Sequence, residues 1–276
     1  MKGCPLRCLW CHNPEGLDRR PQIRLTSNLC EQCGRCVTAC ERGGHEVAGE
    51  SHELHLDDCI SCGECVSVCP SGALEVVGSR TSAESVMAVV RRDIPFYETS
   101  GGGMTLSGGE PLAQFEFTKE LLRLAKEEGL HTTIETAAMT SWKKLSALAP
   151  LIDLFLIDLK HTDDARHQEL TGVSNASILA NIRRISQNGW PFVLRIPWVP
   201  ERNADKKFLD GLLAFLGSLS APPPVELMLY HRLGSGKWSA LGGEGTMPDD
   251  IPAAKPEDAE PWAIRLREAG YMVTIR

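Results

Sequence analysis

The sequence predicts an α/β protein whose body is a parallel sheet flanked by helices, preceded by a separate cysteine-rich head. Two observations carry this. From residue 104 onward short apolar strands alternate with segments of helical period, the pattern that builds a parallel sheet. All eleven cysteines fall at or before Cys69, so composition alone divides the 276-residue chain in two.

MTLSG (104–108) reads as a short strand. It leads into QFEFTKELLRLAKEEG, where Phe117, Leu121, Leu124 and Ala125 recur at helical spacing until Gly129 stops the helix. HTTIET (131–136) is the second strand; in SWKKLSALAP, Ser141 stands as an N-cap and Pro150 ends the helix. IDLFLIDLK (152–160) is a nearly continuous apolar strand of the kind covered on both faces. A long helical stretch follows, ending in SNASILANIRRISQNG (174–189) and closed by Gly189. Then come the strand WPFVLRIPWV (190–199), a helix over 205–217 and the strand VELMLY (225–230), making five strands separated by helices. Residues 242–261, rich in Gly, Pro and acids, read as a mobile surface connection, and a Gly-Gly-Glu within them (242–244) as coincidence. A helix over 256–269 and a short strand, YMVTI (271–275), end the chain.

The composition is ordinary for a globular protein, 42% hydrophobic and 24% charged. A net charge of −7 without a dense basic run argues against nucleic acid or an acidic membrane surface as partner. No apolar stretch approaches the roughly 18 residues of a membrane span, and cysteine and charge interrupt any signal-peptide core. The expected location is therefore cytoplasmic, where thiols stay reduced, so eleven cysteines point to metal or redox chemistry rather than disulfides.

Cys30, Cys33, Cys36 and Cys40 follow C-x2-C-x2-C-x3-C; Cys59, Cys62, Cys65 and Cys69 repeat it with Pro70 behind, whereas Glu41 follows the first run. This is the bacterial ferredoxin run for two 4Fe-4S clusters, in which the fourth cysteine of each run serves the other cluster. One cluster is expected on Cys30, Cys33, Cys36 and Cys69, the second on Cys59, Cys62, Cys65 and Cys40. Paired structural zinc sites are the plainer alternative, but zinc gives no reason for a three-plus-one arrangement twice over. His45, His52 and His55 lie between the runs and are expected to be loop residues rather than ligands. Cys4, Cys8 and Cys11 form a third set, C-x3-C-x2-C, whose three thiolates would leave one iron of a four-iron cluster open to a substrate. By itself this triplet could still be a fortuitous zinc ligand set.

Together GCPLRCLWCHNPE, the two quartets, SGGEP (107–111), IDLK (157–160) and LYHRLG (229–234) resemble the radical S-adenosylmethionine (SAM) proteins. More narrowly, the chain resembles the glycyl-radical-enzyme activating enzymes, relatives of pyruvate formate-lyase activating enzyme that carry an inserted two-cluster domain. The resemblance implies a partial (β/α)6, TIM-like barrel with its site at the C-terminal ends of the strands. It divides the chain into 1–24, the start of the core with its cluster loop; 25–78, the ferredoxin-like insert; and 79–276, the rest of the barrel. It implies three 4Fe-4S clusters, one of them binding SAM, and reductive cleavage of SAM to methionine and a 5'-deoxyadenosyl radical that removes hydrogen from a backbone glycine of a partner enzyme. Reduced flavodoxin or ferredoxin is the implied electron donor and an anaerobic or facultative cell the implied setting. The alternative is a radical SAM enzyme acting on a small molecule or peptide.

The same resemblance nominates cofactor contacts. Gly108 and Gly109 would let backbone approach the methionyl amino group, with Glu110 beside it; an ordinary strand-to-helix turn explains them too. Glu135 and Thr136 end a strand and would face the ribose or a cation. Asp158, Leu159 and Lys160 end the apolar strand, with Lys160 set to pair with the cofactor carboxylate. Arg195, a charge inside an apolar strand, needs either that carboxylate or a structural acid. His231 corresponds to a histidine near the adenine, and Trp10 and His12 flank Cys11 against the same ring. The family also carries a first barrel strand and a DGPGxR-like stretch ahead of the cysteine loop. The expectation is that Met1 is an internal position of a longer protein, with the Cys4 loop anchored from one side only.

Overall fold

The computed structural model describes residues 1–241 and 251–276, so the Gly-Gly-Glu at 242–244 and most of the Gly/Pro connection lie outside the described residues. The cysteine-rich head comprises β1 (Gln22–Leu25), α1 (Arg35–Ala39), β2 (His45–Ala48), β3 (Ser51–Leu54), α2 (Glu64–Ser67) and β4 (Leu74–Val77). β1 pairs antiparallel with β4, Gln22 opposite Val77, which brings both ends of the insert to the same place. β2 and β3 form a hairpin. Ile23, Leu25, Leu54, Ala73 and Leu74 bury a small core against Cys36 and Cys65. The two halves repeat in backbone as well as in sequence. Gln32 and Ser61 each precede a cysteine at φ 50° and 52°, and Gly34 and Gly63 follow at 70° and 85°. Non-glycine residues held in the left-handed region mark a loop constrained by what it surrounds.

The body continues with α3 (Ala83–Val90), α4 (Ile94–Ser100), β5 (Gly103–Leu106), α5 (Phe115–Glu127), β6 (His131–Thr136), α6 (Trp142–Leu148), β7 (Leu154–Asp158), α7 (Asp164–Thr171), α8 (Ala176–Gln187), β8 (Phe192–Trp198), α9 (Lys206–Gly217), β9 (Val225–Leu229), α10 (Ser235–Ala240), α11 (Pro256–Glu268) and β10 (Val273–Ile275). The sheet runs β10-β9-β8-β7-β6-β5, all parallel, and among the described residues β5 and β10 do not pair, leaving a partial barrel. The terminal strand thus joins the sheet as a sixth member beside the five counted from alternation.

Strand alternation divides the sheet into two faces. Leu106, Ile134, Ile157, Leu194 and Leu227 pack into the main core with Leu122 of α5, Ile182 of α8, Leu212 of α9 and Leu266 of α11. Each such fully buried side chain contributes about 1.5–3 kcal/mol. Glu135, Asp158, Arg195 and Glu226 have the opposite parity and face the barrel interior.

Three differences from the sequence reading have physical causes. The long helical stretch before residue 189 is two helices, because Gly172 takes φ 77° and ends α7. α3, α4 and α10 had no assignment; for α3 the signal was Ser82, whose side chain accepts the Ser85 N–H at 3.1 Å as an N-cap. The connection before α11 is not wholly surface: Ile251 is fully buried with Trp10, Leu170, Val199 and Tyr230. By contrast Ser141 sits at the N-cap position of α6 without a side-chain bond.

Candidate active site

At the C-terminal ends of the strands, where parallel barrels place their chemistry, lies a cavity of about 380 Å³. Cys4, Cys8 and Cys11 line it together with residues 107–110, Glu135, Thr136, Asp158, Lys160, Arg195 and His231.

The cysteine loop is held from several directions rather than from one side. Gly109 N–H donates to Met1 O at 2.7 Å and Glu110 N–H to Gly3 O at 2.8 Å, while Gly3 and Cys4 donate to Gly16 O and Leu17 O. Arg7 and Leu9 N–H bond Thr171 O and Leu170 O at the end of α7. From α10, Trp238 Nε1 donates to Cys11 O at 2.9 Å and Lys237 Nζ reaches Asn13 Oδ1 and Glu15 Oε1. Gly234, the last residue of LYHRLG, lies so close to His12 Cα that a side chain would push α10 off the loop.

Gly108 and Gly109 have a reason visible in the chain itself. Gly108 takes φ 118°, and a Cβ on Gly109 would overlap the carbonyl oxygens of Gly3 and Gly16. Gly109→Ala should therefore displace the Cys4 segment. The expected result is loss of about four irons per chain, one cluster, with the insert's clusters retained in anaerobic iron analysis and EPR. Full iron content would overturn it.

The charges are ordered across the strands. Lys160 is almost fully buried and donates to Asp158 Oδ2 at 3.2 Å. Burial alone would lower its ammonium pKa, but Asp158 and then the Cys8 sulfur outweigh this and hold it above the ordinary lysine range. The Asp158 carboxylate thus favours the charged form of Lys160 beside the thiols. Burial pushes Cys8 up to about 12 and raises Cys4 and Cys11 as well. Arg195 bonds Glu135 Oε1 and pairs with Glu226 at 3.3 Å, so structural acids hold it. Ser107 Oγ donates to Glu135 Oε2, and Arg276 Nε to Glu226 Oε1 at 2.8 Å, extending the network from β5 to the end of β10.

Other nominated residues behave differently from expectation. Leu159 has the parity of the core face and is fully buried there, so it does not line the cavity. Glu110 is buried, and its two oxygens accept from Leu112 N, Thr136 Oγ1 and Ala137 N at 3.0, 2.7 and 2.9 Å. Any ammonium contact there competes with three protein donors, and Thr136 is likewise engaged in bracing the loop after β6. Trp10 contributes to the cavity wall, but its ring belongs to the apolar cluster with Leu170 and Ile251. His12 stacks on His231 at 4.2 Å and on Tyr230 at 5.3 Å, and its Nε2 is buried without a hydrogen-bond partner among the described residues.

Sequence reasoning missed Ser107, Glu226, Trp238, Lys237 and Asn203. Asn203 donates to Lys160 O and Pro197 O and accepts Val199 N–H, tying the ends of β7 and β8 together. Only its position in space marks it.

In the insert, Cys40, Cys59, Cys62 and Cys65 line one cavity of about 420 Å³; Cys30, Cys33, Cys36 and Cys69 line a narrower one of about 20 Å³. The fourth cysteine of each run has crossed to the other set. Ser61 Oγ donates to Pro21 O at 2.8 Å, tying the Cys59 loop to the chain just before β1. Burial pushes Cys65 up to about 11; at Cys69 it is outweighed by hydrogen bonds, first from Leu74, that favour the thiolate. His45 and His52, expected in a loop, sit on the hairpin strands with their rings against these sites, whereas His55 is exposed beside Glu46. Four converging thiols fit a closed 4Fe-4S cluster, and three thiols beside a polar cavity fit one with an open iron.

The radical SAM superfamily model matches residues 68–210, and a 4Fe-4S dicluster domain model matches residues 22–82. The chain is 39% identical over 281 residues to the choline trimethylamine-lyase activating enzyme of Oleidesulfovibrio alaskensis, covering 100% of this chain and 90% of that protein. It is 38% identical over 255 residues to the isethionate sulfite-lyase activating enzyme of Nitratidesulfovibrio vulgaris, covering 90% and 82%. Among solved structures, a domain of pyruvate-formate lyase-activating enzyme from Bacteroides vulgatus superposes with TM-score 0.54 and 30% identity, over 63% of this chain and 99% of that one. With the cysteine spacings, the parallel partial barrel and the dicluster insert, these likenesses place the chain in the radical SAM superfamily, among the glycyl-radical-enzyme activating enzymes.

Proposed function

We propose that this chain installs a glycyl radical on a partner enzyme, using SAM and three 4Fe-4S clusters. The observation that carries the reading is the convergence of Cys4, Cys8 and Cys11 with the buried Lys160–Asp158 pair on one cavity at the strand ends. Held by these residues, a cluster with an open iron would supply the electron for reductive cleavage of the SAM sulfonium bond, the source of the radical that would take hydrogen from the partner's glycine.

The chain's own residues bind and orient. Cys4, Cys8 and Cys11 would hold three irons and leave the fourth to the amino acid end of SAM. Lys160, steadied by Asp158, offers its ammonium to the carboxylate, and the stack of His12, His231 and Tyr230 offers a flat wall for the adenine. Gly108 and Gly109 let the backbone after β5 pack directly on Met1, Gly3 and Gly16, which seats the cysteine loop at the cavity. The Glu135–Arg195–Glu226–Arg276 network keeps the strand ends charged but internally balanced, so that SAM meets a fixed polar surface. We assign residues 25–78 to relaying electrons from a reduced flavodoxin or ferredoxin in an anaerobic cytoplasm, and residues 1–24 and 79–276 to the radical chemistry.

The test is anaerobic incubation of the reconstituted protein with reductant, SAM and the glycyl radical enzyme encoded beside it, identified by a C-terminal RVxGY-like segment. A glycyl doublet in the EPR spectrum is expected. Cleavage of SAM with no partner radical would overturn the reading in favour of a small-molecule or peptide substrate.

A further inference from the structure

The eight thiols of the insert are not surrounded alike. The register of the hairpin puts Val47 opposite His52, so His45 and His52 are diagonal neighbours on one face of it. Their rings lie 5.3 Å apart, tilted by 51°. His45 Nδ1 is 3.0 Å from His52 Nε2, and His52 Nδ1 is 3.2 Å from Cys30 Sγ. Cys36 Sγ is 3.7 Å from His52 Nε2.

We propose that His52, oriented by His45, donates a hydrogen bond to the Cys30 sulfur and thereby makes the cluster on Cys30, Cys33, Cys36 and Cys69 easier to reduce than its neighbour. This rests on the reading that both quartets hold 4Fe-4S clusters. A ligating cysteine is a thiolate and can only accept, so Nδ1 of His52 carries the proton that faces it. The neutral ring then has a lone pair on Nε2, which accepts from His45 Nδ1–H. One tautomer for each ring satisfies the two shorter contacts, the chain of donors runs from His45 to His52 to the Cys30 sulfur, and the Cys36 sulfur 3.7 Å from Nε2 receives no hydrogen bond from His52.

The other quartet has no imidazole donor to sulfur among the described residues. Its contacts include the Gly44 N–H to Cys40 at 3.3 Å, the Ser61 N–H to Cys59 at 3.4 Å with the Ser61 hydroxyl 4.0 Å away, and the Val66 backbone at Cys65. An N–H directed at a ligating sulfur stabilises the added negative charge when the cluster takes one electron from a reduced flavodoxin- or ferredoxin-type donor. No bond is made or broken in that step. The Cys30 set is also the one farther from the Pro21 end of β1, since Ser61 of the other set bonds Pro21 while Ala73, beside the Cys30 set, bonds Thr26 past the far end of the strand. His52 therefore acts on the set placed away from the junction with the barrel.

The experiment is an EPR-monitored redox titration of the full, reconstituted chain and of His52→Phe, which keeps a ring of similar size without a donor. One insert cluster should become about tenfold harder to reduce at equilibrium, equivalent to about 59 mV for one electron, while the other stays within about twofold. His52→Gln, with an amide donor, should recover part of the shift, and His45→Leu should give a smaller shift in the same direction. Unmoved midpoints with full iron content would overturn this proposal alone. Loss of about four irons in His52→Phe would also overturn it, by making the ring a ligand. Absence of both insert clusters from the wild-type protein would sink the parent reading and this one with it.

Discussion

Cys8→Ala is expected to abolish SAM cleavage, with at least a thousandfold fall in rate, and to remove about four irons per chain while about eight remain in the insert. The reason is local. Cys4, Cys8 and Cys11 are the thiols that face the cavity at the strand ends, and two thiols cannot hold three irons of a cubane while keeping the fourth open. Iron analysis and the EPR signal on adding SAM to the reduced protein are the measurements; unchanged iron content would contradict the ligand assignment. A pH effect accompanies it. Burial raises all three thiols, Cys8 to about 12, so as free thiols they keep their protons near neutrality. Iron must displace those protons, and loading therefore releases them. Reconstitution of this cluster should be faster at pH 8.5 than at pH 6.5. A pH-independent rate would count against buried protonated thiols.

Lys160→Met should weaken SAM binding about 10- to 100-fold with the iron content unchanged. A charge-assisted hydrogen bond to a carboxylate contributes roughly 1.5–3 kcal/mol, and each 1.4 kcal/mol is tenfold in Kd. Lys160 is suited to this because it is buried, remains charged, and is held by Asp158 on the same strand end. Removing it also leaves Asp158 beside three sulfur ligands without its cation. Asp158→Asn should therefore partly recover binding in the double variant, which a purely steric role for Lys160 would not allow. Anaerobic equilibrium binding decides the matter; an affinity within about twofold of wild type would rule out the carboxylate contact.

Most of the strand positions were readable because alternation and helical period are local signals. β6 at His131–Thr136 coincides with the HTTIET strand, and β7 lies within IDLFLIDLK. The charges at Asp158 and Lys160 stood out against an apolar strand for the same reason. Leu159 was harder, since a run read as a unit conceals that neighbouring residues point to opposite faces; its complete burial places it in the core. Arg195 was visible as a charge in need of a partner and Glu110 as a contact to the cofactor's amino group, but their partners Glu135, Thr136 and Ala137 are 26 to 60 residues away. No local pattern relates such positions.

By itself the sequence determined the chemistry: soft sulfur donors at spacings short enough that one loop presents three of them to one point, twice in the insert and once at Cys4, Cys8 and Cys11. It also determined the strand and helix alternation that makes a parallel sheet. Tertiary structure alone decided which charges neutralise one another across strands and which glycines yield to another backbone. It decided as well that α10 clamps the cysteine loop through Trp238 and Lys237, more than 220 residues away. It placed His52 against Cys30, although the ring lies outside both cysteine runs. Ligand spacing is written into a few consecutive residues, whereas the surroundings of a ligand are made by segments that meet only when the sheet and the hairpin have formed.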